Sequence, residues 1–163
     1  ERCNRDRHLK VLIIVGDKTH YGHRSRIEGF VDELNSRQVR YDVVDIIEGH
    51  DRDIDTQQAT MQAFTAHPEI DCIYMASGSG VSGLGAIIAD ATHKRFVIAC
   101  DEIFTTRELV KNEIIDLVIC QEPVAQGYQA IKKIHEFLNN KYSAALEDCI
   151  MDSIIKIRNH FEA

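Results

Sequence analysis

No apolar stretch of this chain approaches the roughly 20 residues a membrane-spanning helix needs. No membrane association is expected. Proline is scarce: Pro68 and Pro123 are the only two, and neither marks a domain boundary. Positive charge is in deficit, with 19 Lys and Arg against 26 Asp and Glu and a net charge of −7. Such a chain is poorly suited to grip a phosphate backbone, so any contact with DNA is expected through a domain outside it. The five cysteines (Cys3, Cys72, Cys100, Cys120 and Cys149) form no C-x-x-C pair and are odd in number. Three of them, Cys72, Cys100 and Cys120, fall in or at the ends of apolar runs. They read as free, buried thiols in a reducing cytoplasm rather than a disulfide framework or metal site. This weighs against a periplasmic transport protein. There is no Gly-x-Ser-x-Gly elbow, Walker loop or His-Glu-x-x-His, which removes the commonest hydrolase, nucleotide and zinc-protease signatures. The charged start ERCNRDRHLK has neither an initiator methionine nor a signal-peptide core. The chain therefore reads as a piece of a longer protein.

What is present is the composition of an ordinary globular domain. Of 163 residues, 44% are hydrophobic and 28% charged, enough for one domain with its own core. Apolar runs predict strands over Lys10–Val15, Tyr41–Ile47, Asp71–Ala76, Phe96–Cys100, Leu117–Cys120 and Asp152–Arg158. Helical spacing predicts helices over Arg24–Arg37, Asp55–Ala66, Ser82–Ala91, Thr106–Asn112 and Pro123–Asn140. In the last of these, Ala130, Ile131, Ile134 and Leu138 share one face, and Pro123 suits the first helical turn. Strands alternating with amphipathic helices imply an α/β fold, a doubly wound parallel sheet covered on both faces.

In a parallel sheet the residues that follow each strand share one edge, and open α/β sheets bind ligands there. That edge would collect Arg26 from the helix after the first strand, Ser77 and Ser79 after the third, Asp101 after the fourth and Gln121 after the fifth. A guanidinium, a carboxylate, an amide and small hydroxyls together suit a sugar or similar polar metabolite. Each has a plainer role to set beside it. Arg26 could be a solvated helix arginine, Asp101 a turn residue, and Gln121 a side chain bonding its own loop. Phe104 could stack on a sugar face or pack in the core. His23, within His20-Tyr21-Gly22-His23, could line the cleft; two histidines without a third ligand make a weak metal site, and none is expected. Gly78-x-Gly80-x-x-Gly83 has the spacing of a dinucleotide fingerprint but follows the third strand, and no ribose-binding acid is evident. No cofactor is expected.

Four segments, in order, resemble the sugar-sensing repressors of the lactose-repressor family (LacI/GalR type) and the related periplasmic sugar-binding proteins. They are HRSRIEGFVDEL (His23–Leu34), VIACDE (Val97–Glu102), ICQEPVAQGYQA (Ile119–Ala130) and IIKIRNH (Ile154–His160). The resemblance implies that residues 1–163 are a single effector-binding lobe, the C-terminal half of a periplasmic-binding-protein-like sensor. It implies ligand contacts by Arg26 and Asp101, a small-molecule effector, a homodimer, and operator binding through a helix-turn-helix domain absent from this chain. Ser77 and Ser79 stand where many members have a ligand-bonding asparagine or aspartate. The expected protein is then a cytoplasmic transcriptional regulator rather than an enzyme. The alternatives are a sugar-binding protein of an ABC transport system and, more distantly, a small α/β enzyme using Asp101 or His23 as acid or base.

Overall fold

The computed structural model describes residues 8–89, 93–139 and 149–161. Strands β1 (Leu9–Val15), β2 (Tyr41–Glu48), β3 (Cys72–Met75), β4 (Phe96–Cys100), β5 (Leu117–Cys120) and β6 (Ile154–Lys156) form one sheet. Between them run α1 (Tyr21–Ser36), α2 (Asp53–Ala66), α3 (Val81–Ala89), α4 (Phe104–Lys111) and α5 (Pro123–Asn139), and a 3-10 turn (Arg158–His160) follows β6. Strand order is β2-β1-β3-β4-β5-β6. The order reverses between β1 and β3, which creates the crevice at the carboxyl ends where such sheets bind ligands.

Strand side chains alternate between two faces. Leu12, Ile14, Ile73, Met75, Val97, Ala99, Val118 and Cys120 point to one face and meet Ala63 of α2, Leu84 of α3 and Val110 of α4. Val11, Ile13, Val15, Cys72, Tyr74 and Cys100 point to the other, where Ile27 and Phe30 of α1 pack on them. The α2–α3 contact accounts for the glycine-rich run. A Cβ on Gly83 would lie 1.9 Å from the Asp53 carbonyl oxygen, and Gly80 has φ +81° with Thr56 against it. These glycines let two helices touch. That packing, rather than a phosphate, explains the fingerprint-like spacing.

The structure corrects two expectations. First, α1 begins at Tyr21, so Tyr21–His23 are its first turn and Arg26 sits in its second. Second, β6 pairs antiparallel with β5, Ile119 opposite Ile155, while β1–β5 are parallel. The reason is positional: Met151–Ser153 already line a cavity with Gln121 at the carboxyl edge, so the strand that follows must run back down. It is also shorter than expected, because Arg158 belongs to the 3-10 turn. Ile131, Ile134 and Leu138 do share one face of α5, and that face is exposed; no residue of α5 is buried. The remaining differences are of one to three residues at element ends, the usual margin. The expected helix ends at Ala91 and Asn140 lie outside the described residues.

Candidate functional site

The site is built on Asp101, the first residue beyond β4. Its backbone is left-handed, φ +69°, a conformation that aspartate tolerates better than most side chains. Its N–H donates to the Ile119 carbonyl at 2.8 Å, and the Ile103 N–H donates to the Asp101 carbonyl at 3.1 Å. With its backbone tied on both sides, the carboxylate faces Arg26. The guanidinium grips it in a fork: Nη2 donates to Oδ1 at 3.1 Å and Nη1 to Oδ2 at 3.2 Å. Nη1 also donates to the Ala76 carbonyl at the end of β3, 2.8 Å away. Gln121 completes the row, its Nε2 donating to Asp101 Oδ1 at 2.8 Å. Gly78 stands close by because a Cβ there would lie 2.9 Å from the Asp101 Cβ.

This arrangement has a definite electrostatic character. Burial works against the charge on Arg26, but the hydrogen bonds to Asp101 and neighbouring charge outweigh it and raise the pKa. Guanidinium and carboxylate therefore offset one another, and the Arg26–Asp101–Gln121 row is neutral. Among the described residues it retains unbonded N–H groups on Arg26, along with lone pairs on Asp101 and the carbonyl oxygen of Gln121. A group that both donates and accepts, a hydroxyl above all, is the natural complement.

Beneath the row lies a cavity of about 290 Å³ lined by Arg26, Tyr74, Cys100, Ile119 and Gln121 together with Gln126, Met151, Asp152 and Ser153. That is close to the lower size of small-molecule sites. Burial pushes both the Tyr74 phenol and the Cys100 thiol up, so neither ionises readily. The Tyr74 hydroxyl lies 3.6 Å from the Cys100 sulfur.

Of the residues expected from sequence, Arg26, Asp101 and Gln121 are brought together, and the plainer roles for Arg26 and Gln121 are set aside. The other four stand on the same edge but outside the row. Ser77 is buried and its hydroxyl donates to the Ser79 carbonyl at 3.3 Å. Ser79 is exposed. His23 is engaged locally, its Nδ1 lying 3.0 Å from the Asp17 carbonyl oxygen and 3.3 Å from the Asp17 nitrogen. Phe104 is 80% exposed at the first turn of α4, so it is not a core residue. The His20 and His23 rings stand 4.6 Å apart, and among the described residues no group of three His, Cys, Asp or Glu could hold a metal. Sequence reasoning missed Gln126, Asp152 and Ser153. Gln126 had a signal, since it lies within the same run one helical turn beyond Glu122; nothing marked Asp152 and Ser153.

Solved proteins share the architecture. GanP, a glucose-galactose binding protein from Geobacillus stearothermophilus, superposes with a TM-score of 0.86 at 20% identity, over 96% of this chain and 55% of its own. An ABC transporter solute binding protein from Burkholderia graminis, solved in complex with D-arabinose, gives 0.85 at 18% identity, over 96% and 55%. AraP, an arabinose binding protein from Geobacillus stearothermophilus, gives 0.79 at 20% identity, over 95% and 57%. At such identities the likeness is one of fold, and the chain spans little more than half the length of those proteins. No curated protein matches it in sequence. Residues 1–141 match the family of the periplasmic binding protein domain, and the chain therefore belongs to that family.

Proposed function

We propose that this chain is one lobe of a two-lobe binding protein, and that the intact protein closes on a neutral polyhydroxylated molecule, a sugar by class. The observation that carries the reading is the Arg26–Asp101–Gln121 row. It is neutral overall, rich in both donors and acceptors, and sits at the carboxyl edge over a cavity. A sugar phosphate would bring negative charge to a row whose guanidinium, Arg26, is already paired with Asp101. A ligand that contacts both lobes favours the closed arrangement and shifts the population toward it. The protein is read as a binding module rather than an enzyme, so the ligand is recovered unchanged.

Among two-lobe proteins, a solute-binding protein of a sugar transport system is the better-supported reading, because the solved structures sharing this fold include an ABC transporter solute binding protein in complex with D-arabinose. One observation favours a second reading, a LacI-type regulator acting in the cytoplasm through a DNA-binding domain outside this chain. Cys100 and Cys120 are buried thiols, which suits a reducing compartment.

The test is a thermal-shift screen of the full-length protein against neutral pentoses and hexoses, sugar phosphates and nucleosides. A neutral monosaccharide at 100 times its Kd should stabilise the protein by about 2.7 kcal/mol. The shift should vanish in the Gln121→Ala protein, where the exposed position leaves folding intact. Absence of any shift, or a shift that survives both Gln121→Ala and Asp101→Ala, overturns the site. Sugar-dependent release from or retention on DNA decides for the regulator; a sugar-uptake defect on gene deletion decides for transport.

A further inference from the structure

Two consecutive residues, Asp101 and Glu102, work on opposite faces of the sheet. Asp101 takes Arg26 and Gln121 at the cavity. Glu102 turns to the face on which α4 packs. There its Oε2 accepts from Lys156 Nζ at 2.6 Å, and Arg107 Nε lies 3.5 Å from Oε1. Phe161, buried with Val110, Val118 and Cys120, lies against both cations. The Glu102 and Lys156 side chains are 21% and 26% exposed. A charge-assisted hydrogen bond so shielded is stronger than a solvated surface pair.

Lys156 is the last residue of β6, and β6 is reached directly from the other wall of the cavity. Met151, Asp152 and Ser153 line that cavity with Arg26 and Gln121, and Ile154 opens the strand. Little else fixes β6. Three backbone pairings hold it to β5, and none of its three residues is buried. The ion pair therefore closes a circuit around the sheet edge, from Asp101 through Glu102 and Lys156 back to Ser153. Binding groups work together only when held to within about 0.5 Å by the residues behind them. Here the two walls come from separate parts of the chain, and one side-chain contact joins them.

We propose that Glu102 and Lys156 are positioning residues for the cavity, their ion pair holding its two walls in register from the far face of the sheet. The proposal rests on the ligand reading only in treating the cavity as a binding site.

The Cys100 thiol reads the walls with no sugar present. It lines the cavity and is 2% exposed, whereas Cys72 at the start of β3 is 6% exposed and lies outside the lining. In full-length Lys156→Met, iodoacetamide should modify Cys100 roughly 10-fold faster than in the unsubstituted protein, the weight of one charge-assisted hydrogen bond in a local opening. Cys72 should be unchanged, with mass spectrometry giving both rates. Lys156→Arg keeps the charge and the donors and should behave as the unsubstituted protein does. An unchanged Cys100 rate in Lys156→Met, an equal rise at Cys72, or a Lys156→Arg protein as reactive as Lys156→Met overturns the proposal. Calorimetric titration with D-arabinose, D-glucose and D-galactose is the second arm. Whichever of them binds the unsubstituted protein should bind Lys156→Met about 10-fold more weakly and Lys156→Arg equally well. Undiminished affinity in Lys156→Met also overturns the proposal. If none of the three binds the unsubstituted protein, that counts against the sugar reading, and the thiol rates alone decide the role of the pair.

Discussion

Asp101 combines a turn residue's conformation with a binding residue's chemistry. Its left-handed backbone ties the end of β4 to β5 and leaves the carboxylate directed at Arg26. Two opposite charges in partly buried positions depend on one another. Their side chains are 26% and 31% exposed. Removing the carboxylate in Asp101→Ala should therefore strand the guanidinium and cost about 1–3 kcal/mol. Gln121 is exposed, so Gln121→Ala should stay within about 0.5 kcal/mol of the parent. Urea denaturation reads both; equal costs would mean that the Arg26–Asp101 pair contributes nothing to the fold. The contrast also explains why Gln121→Ala is the cleaner probe of binding.

At the scale of an element, β6 poses a problem of attachment. It is three residues long, lies at the sheet edge, and its Ile154 and Ile155 are exposed. Little apolar burial holds it. Lys156 supplies an anchor, its Nζ donating to Glu102 Oε2 at 2.6 Å, with Arg107 3.5 Å from the other carboxylate oxygen. Phe161 packs beneath, with the Arg107 guanidinium 5.8 Å and the Lys156 ammonium 6.0 Å from its ring. The hydrogen bond from Lys156 is the main cause holding the Glu102 carboxyl below its ordinary value of 4.5. A depressed folded pKa means stability that is present above pH 4.5 and lost as pH falls through the folded value. Glu102→Gln should accordingly cost about 1 kcal/mol at pH 7 and progressively less below pH 4.5, where the two proteins converge. Urea titrations at pH 7, 5 and 3 check it; a pH-independent gap would assign the cost to packing instead.

For the whole molecule, two apolar layers on either side of the sheet enclose Cys72, Cys100 and Cys120, while Cys149 is exposed. Burial pushes the Cys100 thiol up and is the main cause raising Cys120 to about 11. Thiol reagents attack the thiolate. In a Cys3→Ser protein, which removes a cysteine outside the described residues, Ellman's reagent should modify Cys149 promptly. The three buried thiols should react at least about 1,000-fold more slowly, the scale of a global opening equilibrium. Prompt reaction of all four would show that the strand ends open locally.

The sequence by itself determined the order and type of the elements. Phe96–Cys100 and Leu117–Cys120 are strands with the expected bounds, because short apolar runs between polar breaks leave few alternatives. It also determined that Asp101 and Gln121 share an edge with the residues after β1 and β3, since parallel strands put all their carboxyl ends together. What it could not determine depends on distance along the chain. Arg26 meets Asp101 across 75 residues, and no local pattern says which residue a helix arginine will reach. The antiparallel course of β6 follows from where the chain arrives beforehand. The outward face of α5 is the clearest case. Periodicity shows that a helix has an apolar side; only packing against everything else decides whether that side meets the core or stays exposed.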